Sequence, residues 1–393
     1  MTSPGPAPPR GRPGCGIAVL LVLALAVGLP IVRGRSAARS AFDAALAAHQ
    51  AGDCRRAIEG YDEARRALFS PVREPAEQNI EQCEDYLVAA DAGEARDWPT
   101  ATDGYENYLA RYPDSLLSPA AYEAGAAAHL EEAGELLAQP EGGADRDQYF
   151  LAVDEYVTVL EEYPDAEAAG QVPQALTAAV DRGAQLAAQQ RWCDAVSVLD
   201  VFAEASQPPL ADAAGRARAA LPQSLYECGL QRFAEGDSQT AVTYLRRLGD
   251  SYPDDPLTAQ ARPTLIRAEV AAITAGAAGE VPPPTAVGRA PAGTVAVEVI
   301  NDSPDELELL FAGPGADAVT IPPCATCSAY PFAPVGACGS GSLPTVSLEL
   351  PPGSYQLGVR SRSGDDVIPY AGAWELAPGT AYSSCFFIVT SFG

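Results

Sequence analysis

Asp97–Asp114 reads DWPTATDGYENYLARYPD, and its periodicity decides most of the chain. Ala101, Tyr105, Tyr108, Leu109 and Tyr112 recur at three- and four-residue spacing, which lines one face of an α-helix. Pro113 stops that helix, because proline lacks the N–H needed to continue the ladder and restricts the residue before it. The pattern returns. Ala152, Tyr156, Leu160 and Tyr163 lead into Pro164-Asp165, and Ala241, Tyr244, Leu245 and Leu248 lead into Tyr252-Pro253-Asp254. Degenerate copies run over Ala57–Leu68 and Ala195–Phe202. Residues 36–276 are therefore expected to be an array of helical hairpins, each burying its apolar stripe against its neighbours.

Reading caps and breakers along this stretch predicts helix pairs at 36–51 with 53–69, 75–93 with 97–112, and 118–139 with 146–163. Further pairs are expected at 168–190 with 192–206 and at 211–235 with 237–252, and a last helix at 256–275 closes the stack. Gly52-Asp53 and Gly236-Asp237 suit the hinges, since glycine ends one helix and aspartate caps the next.

The phrase A-x-x-x-G-D-x-x-x-A-(V/I)-x-x-(Y/L), followed by Tyr-Pro-Asp, resembles tetratricopeptide repeats. The likeness is carried by Gly52-Asp53, Ala57 and Tyr61; by Ala101 and Tyr105; and by Gly236-Asp237, Ala241 and Tyr244. The stops at Tyr112-Pro113, Tyr163-Pro164 and Tyr252-Pro253 complete it, with Tyr156 in the middle copy. It is most similar to the subclass found in bacterial envelope proteins, including outer-membrane assembly lipoproteins and the coordinator of the Tol-Pal system. The resemblance implies an all-α solenoid whose groove takes a protein or peptide. The units here run about 35 to 50 residues instead of 34, so an irregular superhelix is expected.

Residues 1–15 are rich in proline and glycine and are expected to be disordered. Gly16–Val32, GIAVLLVLALAVGLPIV, is an uncharged apolar run that just spans a hydrocarbon core. It reads as a transmembrane anchor, with cleavage as a signal peptide near Ser36–Ala38 as the alternative. Cys15 precedes the run, so no lipid anchor is implied. The net charge of −27 argues against nucleic acid, whose phosphates need a basic face. All 25 basic residues are arginine, which with abundant alanine looks like a high-GC bacterial genome.

Of nine cysteines, eight follow the apolar run, an even set that points to an oxidising space outside the cytoplasm. Cys54 and Cys193 each open the second helix of a hairpin, and Cys83 and Cys228 each lie in the next helix, so Cys54–Cys83 and Cys193–Cys228 are expected to be disulfides. Cys324, Cys327, Cys338 and Cys385 admit disulfides, a zinc site or a redox pair, and disulfides are preferred because the second Cys-x-x-Cys of a zinc site is missing.

Residues 277–293 read as a linker stiffened by three consecutive prolines. From Val295 the period changes to two, and seven short strands over residues 294–393 suggest a β-sandwich. The fold class is thus multidomain: an N-terminal transmembrane helix, an all-α repeat array and a small all-β sandwich.

No His-Glu-x-x-His, Gly-x-Ser-x-Gly or phosphate-loop pattern occurs, so neither an enzyme nor a cofactor is expected. The two histidines, His49 and His129, read as surface or packing residues. The resulting expectation is a single-pass scaffold of the cytoplasmic membrane, its bulk outside the cytoplasm, that binds a protein or peptide in the repeat groove. The alternative is a cell-wall or glycan binder whose sandwich presents Tyr330, Tyr355, Tyr370, Trp374 and Tyr382.

Overall fold

The computed structural model describes residues 15–138, 146–205, 208–276, 279–330, 338–339, 342–362 and 367–389; of these, 15–31, 146 and 209 are described by backbone alone. The chain divides into two compact units, Met1–Ala179 with Ala205–Ala211, and Val180–Glu204 with Asp212–Gly393.

The first unit holds α1 (Cys15–Gln50), α2 (Cys54–Arg66), α3 (Arg73–Glu94), α4 (Trp98–Arg111), α5 (Ser118–Ala138), α6 (Arg146–Glu162) and the start of α7 (Glu167–Ala188). The helix expected from residue 36 is the C-terminal part of α1, which is continuous over 36 residues. Among the described residues no helix is long and apolar enough to cross a membrane. The side chains of the expected span, through residue 31, lie outside the described residues, as do the expected disordered terminus through residue 14 and the loop at 140–145.

Helix ends follow local chemistry. Asp53 and Asp237 each accept the backbone N–H three residues on, at Arg56 and Thr240, as helix caps do. Gly52 and Gly236 sit at φ 78° and 86°, the left-handed backbone that glycine adopts without strain. The equivalent hinges before α4 (Trp98–Arg111) and α8 (Trp192–Glu204) are made by Arg96 and Gln190, at φ 60° and 62°, so glycine alone does not mark every hinge.

The second unit continues with the end of α7, α8 (Trp192–Glu204), α9 (Ala211–Ala234), α10 (Ser238–Ser251) and α11 (Pro256–Ala275). Among the described residues nine strands follow: β1 (Gly279–Val281), β2 (Thr285–Arg289), β3 (Val295–Asn301), β4 (Leu307–Ala312), β5 (Ala316–Ile321), β6 (Thr345–Leu350), β7 (Gly353–Ser361), β8 (Tyr370–Leu376) and β9 (Thr380–Phe386). They form two sheets, ordered β1-β8-β7-β4-β5 and β2-β9-β3-β6. Val295, Val297 and Val299 point into a shared core with Leu309, Tyr355, Leu357 and Trp374.

Two sequence expectations are corrected here. The stretch 277–293 is not a linker, since it supplies β1, parallel to β8, and β2, antiparallel to β9. Its prolines 282–284 fall between the two strands, where a missing N–H breaks no ladder. Nor is the array separate from the sandwich. Ile266 and Val270 of α11 pack on Leu310 of β4, with Ile273, Ala312, Ala316 and Ala318 around them. Leu309 and Phe311 fill the core between the sheets, while Leu310, on the opposite face, is fully buried beneath α11. Glu269, 8 % exposed in its side chain, receives Arg246 at 2.5 Å and Arg360 of β7 at 3.3 Å, and Arg262 pairs with Asp317 at 2.8 Å.

Candidate functional site

The repeat-signature residues are consumed by packing. Ala57, Tyr61, Ala101, Tyr105, Tyr156, Tyr163 and Ala241 are all buried, and Tyr112, Tyr244 and Tyr252 half-buried. The Tyr-Pro-Asp stops share one turn. The tyrosine N–H closes the last helical turn, and its carbonyl accepts an N–H from three residues on, at Ser115, Ala166 and Asp255. In two copies a hydroxyl six residues on adds a second bond to that carbonyl, from Ser118 at 2.6 Å and Thr258 at 2.7 Å. Pro113, Pro164 and Pro253 stand exposed at these turns.

What remains for recognition is the exposed surface of the helices. Between α3 and α4 a shallow groove is lined by Asp85, Val88, Asn107 and Arg111. Val88 is 60 % exposed, an apolar spot among charges. Arg111 pairs with Glu81 and with Asp85, and its guanidinium lies 5.1 Å from the ring centre of Tyr112, which holds the groove's wall in place. Elsewhere on this unit Arg55 pairs with Asp91, Arg65 and Arg66 with Asp62, and Arg96 with Glu135. Five of the arginines of this unit are thus paired with carboxylates, and the surplus carboxylates of the chain dominate the surface field.

Both histidines are buried packing residues, as expected, and each carries a polar partner that the sequence did not announce. The Nδ1 of His129 lies 2.5 Å from Glu155, and its Nε2 lies 3.2 Å from Glu106, an ion-pair distance without hydrogen-bond alignment. Burial by itself lowers the His129 pKa, but the bond to Glu155 and the charges of Glu155, Glu106 and Glu132 outweigh it and raise the value above 6.5. Burial and the nearby Glu155 raise the Glu132 carboxyl. His49 is fully buried with Nδ1 3.1 Å from Tyr61 Oη, and burial lowers its pKa, which keeps the ring neutral.

The cysteines divide. Cys193 and Cys228 are bonded, with Cα atoms 4.9 Å apart, joining α8 to α9. Cys324 is bonded to Cys327, and Cys338 to Cys385 of β9. The expected Cys54–Cys83 bond is not formed in the structure. The two are buried free thiols, Sγ 2.7 Å from Sγ. The hydrogen bond with Cys54 and burial push the Cys83 thiol pKa well up, so Cys83 holds its proton. One ring nitrogen of His49 and the two sulfurs lie within 4.8 Å of one another, the one donor set among the described residues that could hold a metal ion.

In the sandwich, a largely apolar cavity of about 520 Å³ is lined by Val281, Leu307, Val359, Ile368, Tyr370 and Phe387 among others. The five aromatics considered for sugar stacking do not form a platform. Tyr355 and Trp374 are 1 % exposed, and the Trp374 indole donates to the Pro282 carbonyl at 3.1 Å. Tyr370 and Tyr382 pack against the core, and the Tyr330 hydroxyl donates to Asp302 at 2.8 Å.

Residues 223–255, the end of α9 with α10 and the turn that follows, match the family model described as Tetratricopeptide repeat. Among solved structures the chain is similar to the TPR domain of P58(IPK), determined at 2.5 Å, at 13 % identity. That match covers 67 % of this chain and 86 % of that one with a TM-score of 0.20, too loose a superposition to argue from. No curated protein matches the chain. The matched segment contains Gly236-Asp237, Ala241, Tyr244 and Tyr252-Pro253, one of the copies that carried the resemblance in the sequence, and within it the chain is similar to a tetratricopeptide repeat.

Proposed function

We propose that the chain is a non-catalytic scaffold, anchored in the cytoplasmic membrane by Gly16–Val32, that binds a protein or peptide through its repeats outside the cytoplasm. The observation that carries the binding half is the fate of the signature residues. They are spent on packing, which leaves the helix surfaces, such as the α3–α4 groove with Val88, free to vary toward a ligand. The charge of −27 favours a partner with a basic face and disfavours nucleic acid. Anchor and location rest on the apolar run and on the disulfides, which persist in oxidising spaces. The glycan alternative draws no support from the sandwich, where none of the five aromatics is exposed.

Photo-crosslinking tests the reading. A photoreactive residue at Asn107 or Val88 of the full chain in its native membrane should trap one discrete product, weakened by Val88→Asp. Products only from probes on the sandwich, or none from either helix, would sink the groove. Reporter fusions at Ala51 and Gly393 should be active only with an exported-side reporter, and cytoplasmic signals at both would sink the topology.

A further inference from the structure

We propose that Cys54 and Cys83 are an oxidation site: two thiols that close into a disulfide between α2 and α3 as the first two repeats fold, and that are then sealed from solvent. The inference goes beyond the scaffold reading, and its chemistry is tested in vitro without assuming the chain's location.

Three observations carry it. The sulfurs already touch at 2.7 Å, so closing to a bond of about 2.05 Å needs a movement of roughly 0.6 Å. A second pair in the chain, Cys193 at the start of α8 and Cys228 within α9, has the same placement and is bonded. Finally, Cys54 and Cys83 are 1 % and 0 % exposed, buried among Ala57, Tyr61, Ala76 and Ile80. That enclosure decides the timing. Exchange requires an attacking disulfide to reach one of the two sulfurs, and the folded packing leaves it no path. The bond therefore forms while the α2–α3 interface is still open.

The donor set with His49 is the competing use of these sulfurs. Zinc held by two thiolates at about 2.3 Å in tetrahedral geometry sets the sulfurs roughly 3.8 Å apart. Zinc would therefore have to hold apart two sulfurs that lie at 2.7 Å, well inside the contact distance of unbonded sulfur, whereas the disulfide continues the approach they have already made. His49 contacts Tyr61 through Nδ1, and its buried Nε2 has no hydrogen-bond partner among the described residues, so the ring keeps one nitrogen for a metal and the zinc outcome is tested directly.

The oxidant is a small or protein disulfide. The two thiols lose two protons and two electrons, the sulfur–sulfur bond forms through a mixed disulfide, and the oxidant leaves as two thiols. Once sealed, the cross-link adds a covalent tie to an interface otherwise held by alanine and tyrosine packing.

The full chain, purified in detergent, reduced and unfolded, should be refolded in glutathione disulfide with glutathione, and in parallel refolded reduced and only then given the same buffer. Peptide mapping without reduction should recover a Cys54–Cys83 fragment, lighter by two hydrogens, from the first sample. The folded reduced sample should form that fragment far more slowly. The denaturant midpoint of the oxidised chain should drop on full reduction, and the drop should shrink in the Cys54→Ala/Cys83→Ala variant. Complete alkylation of both thiols after oxidative refolding would overturn the proposal. So would one zinc per chain after refolding with zinc chloride, lost in His49→Ala, with the thiols blocked from alkylation until chelation.

Discussion

The helices of the first unit and the last helix of the array use the same alphabet of alanine and branched residues, but they bury it differently. Helix α4 hides one stripe, Ala101, Thr102, Tyr105 and Tyr108, and leaves its other side to solvent. Helix α11 hides two. Ala268 faces Ala241 and Val242 of α10, while Ile266 and Val270 face Leu310 of the sheet. A repeat array must end somewhere, and an uncovered final stripe would lie in water. Here the sheet covers it, and Glu269, bridging Arg246 and Arg360, fixes the docking with charge as well as shape.

The most severe way to break this comparison is to cut where the sequence suggested a linker. A fragment beginning at Thr294 lacks α11, β1 and β2, leaving Leu310 bare and β8 and β9 each short of a partner. The three side chains Ile266, Val270 and Ile273 alone are worth about 5 kcal/mol of burial. That fragment should show no cooperative thermal unfolding by circular dichroism, whereas one beginning at Pro256 should. Equal, sharp melts from both would mean that α11 is a passenger.

Removing one carboxylate sharpens the same point. Glu269→Ala leaves Arg246 without its partner and Arg360 with Glu308 alone, and should cost about 3 kcal/mol in the denaturant unfolding of the second unit. A loss under about 0.5 kcal/mol would reduce the bridge to a surface pair. The first unit depends instead on close approach. A Cβ at Gly104 would meet Ala89 Cβ at 2.8 Å and its Cα at 3.1 Å, and backbone cannot swing aside. Gly104→Ala should therefore destabilise by about 1–3 kcal/mol despite its better helix propensity. A stabilised variant would show that α3 and α4 pack more loosely.

Protonation separates the two regions as well. His129 has a folded pKa above 6.5, so its contribution is fully present below that value and is lost as pH rises through the folded pKa. The chain's denaturation midpoint should fall over that window, and His129→Gln should flatten the fall. An unchanged profile in the variant would assign the pH dependence elsewhere. The smallest effect belongs to Arg55, whose pair with Asp91 is 62 % and 55 % exposed, so Arg55→Ala should change stability by no more than about 0.5 kcal/mol.

Much of the fold was legible because helices and strands are written in neighbouring residues. The Tyr-Pro-Asp stops end α4, α6 and α10 where the sequence says, since a proline acts within one turn. The candidate recognition surface was less legible, because the repeat pattern reports what is buried, and Val88 carries no pattern. The two histidines illustrate the same limit: their burial follows from helical phase, whereas Glu106 and Glu155 beside His129 come from two other helices.

By itself the sequence determined the helical period, the hinges at Gly52 and Gly236, the alternation of Val295, Val297 and Val299, and the pairing of Cys193 with Cys228. Each rests on local geometry or on a repeated placement. Only the tertiary structure decided that residues 279–281 and 285–289 become strands, that Leu310 is core, and that Cys54 and Cys83 lie buried with their sulfurs in contact. Those outcomes depend on partners far along the chain, as in the bridge from Glu269 to Arg360, 91 residues away. Closing so long a loop depends on everything folded in between, and no window of sequence contains it.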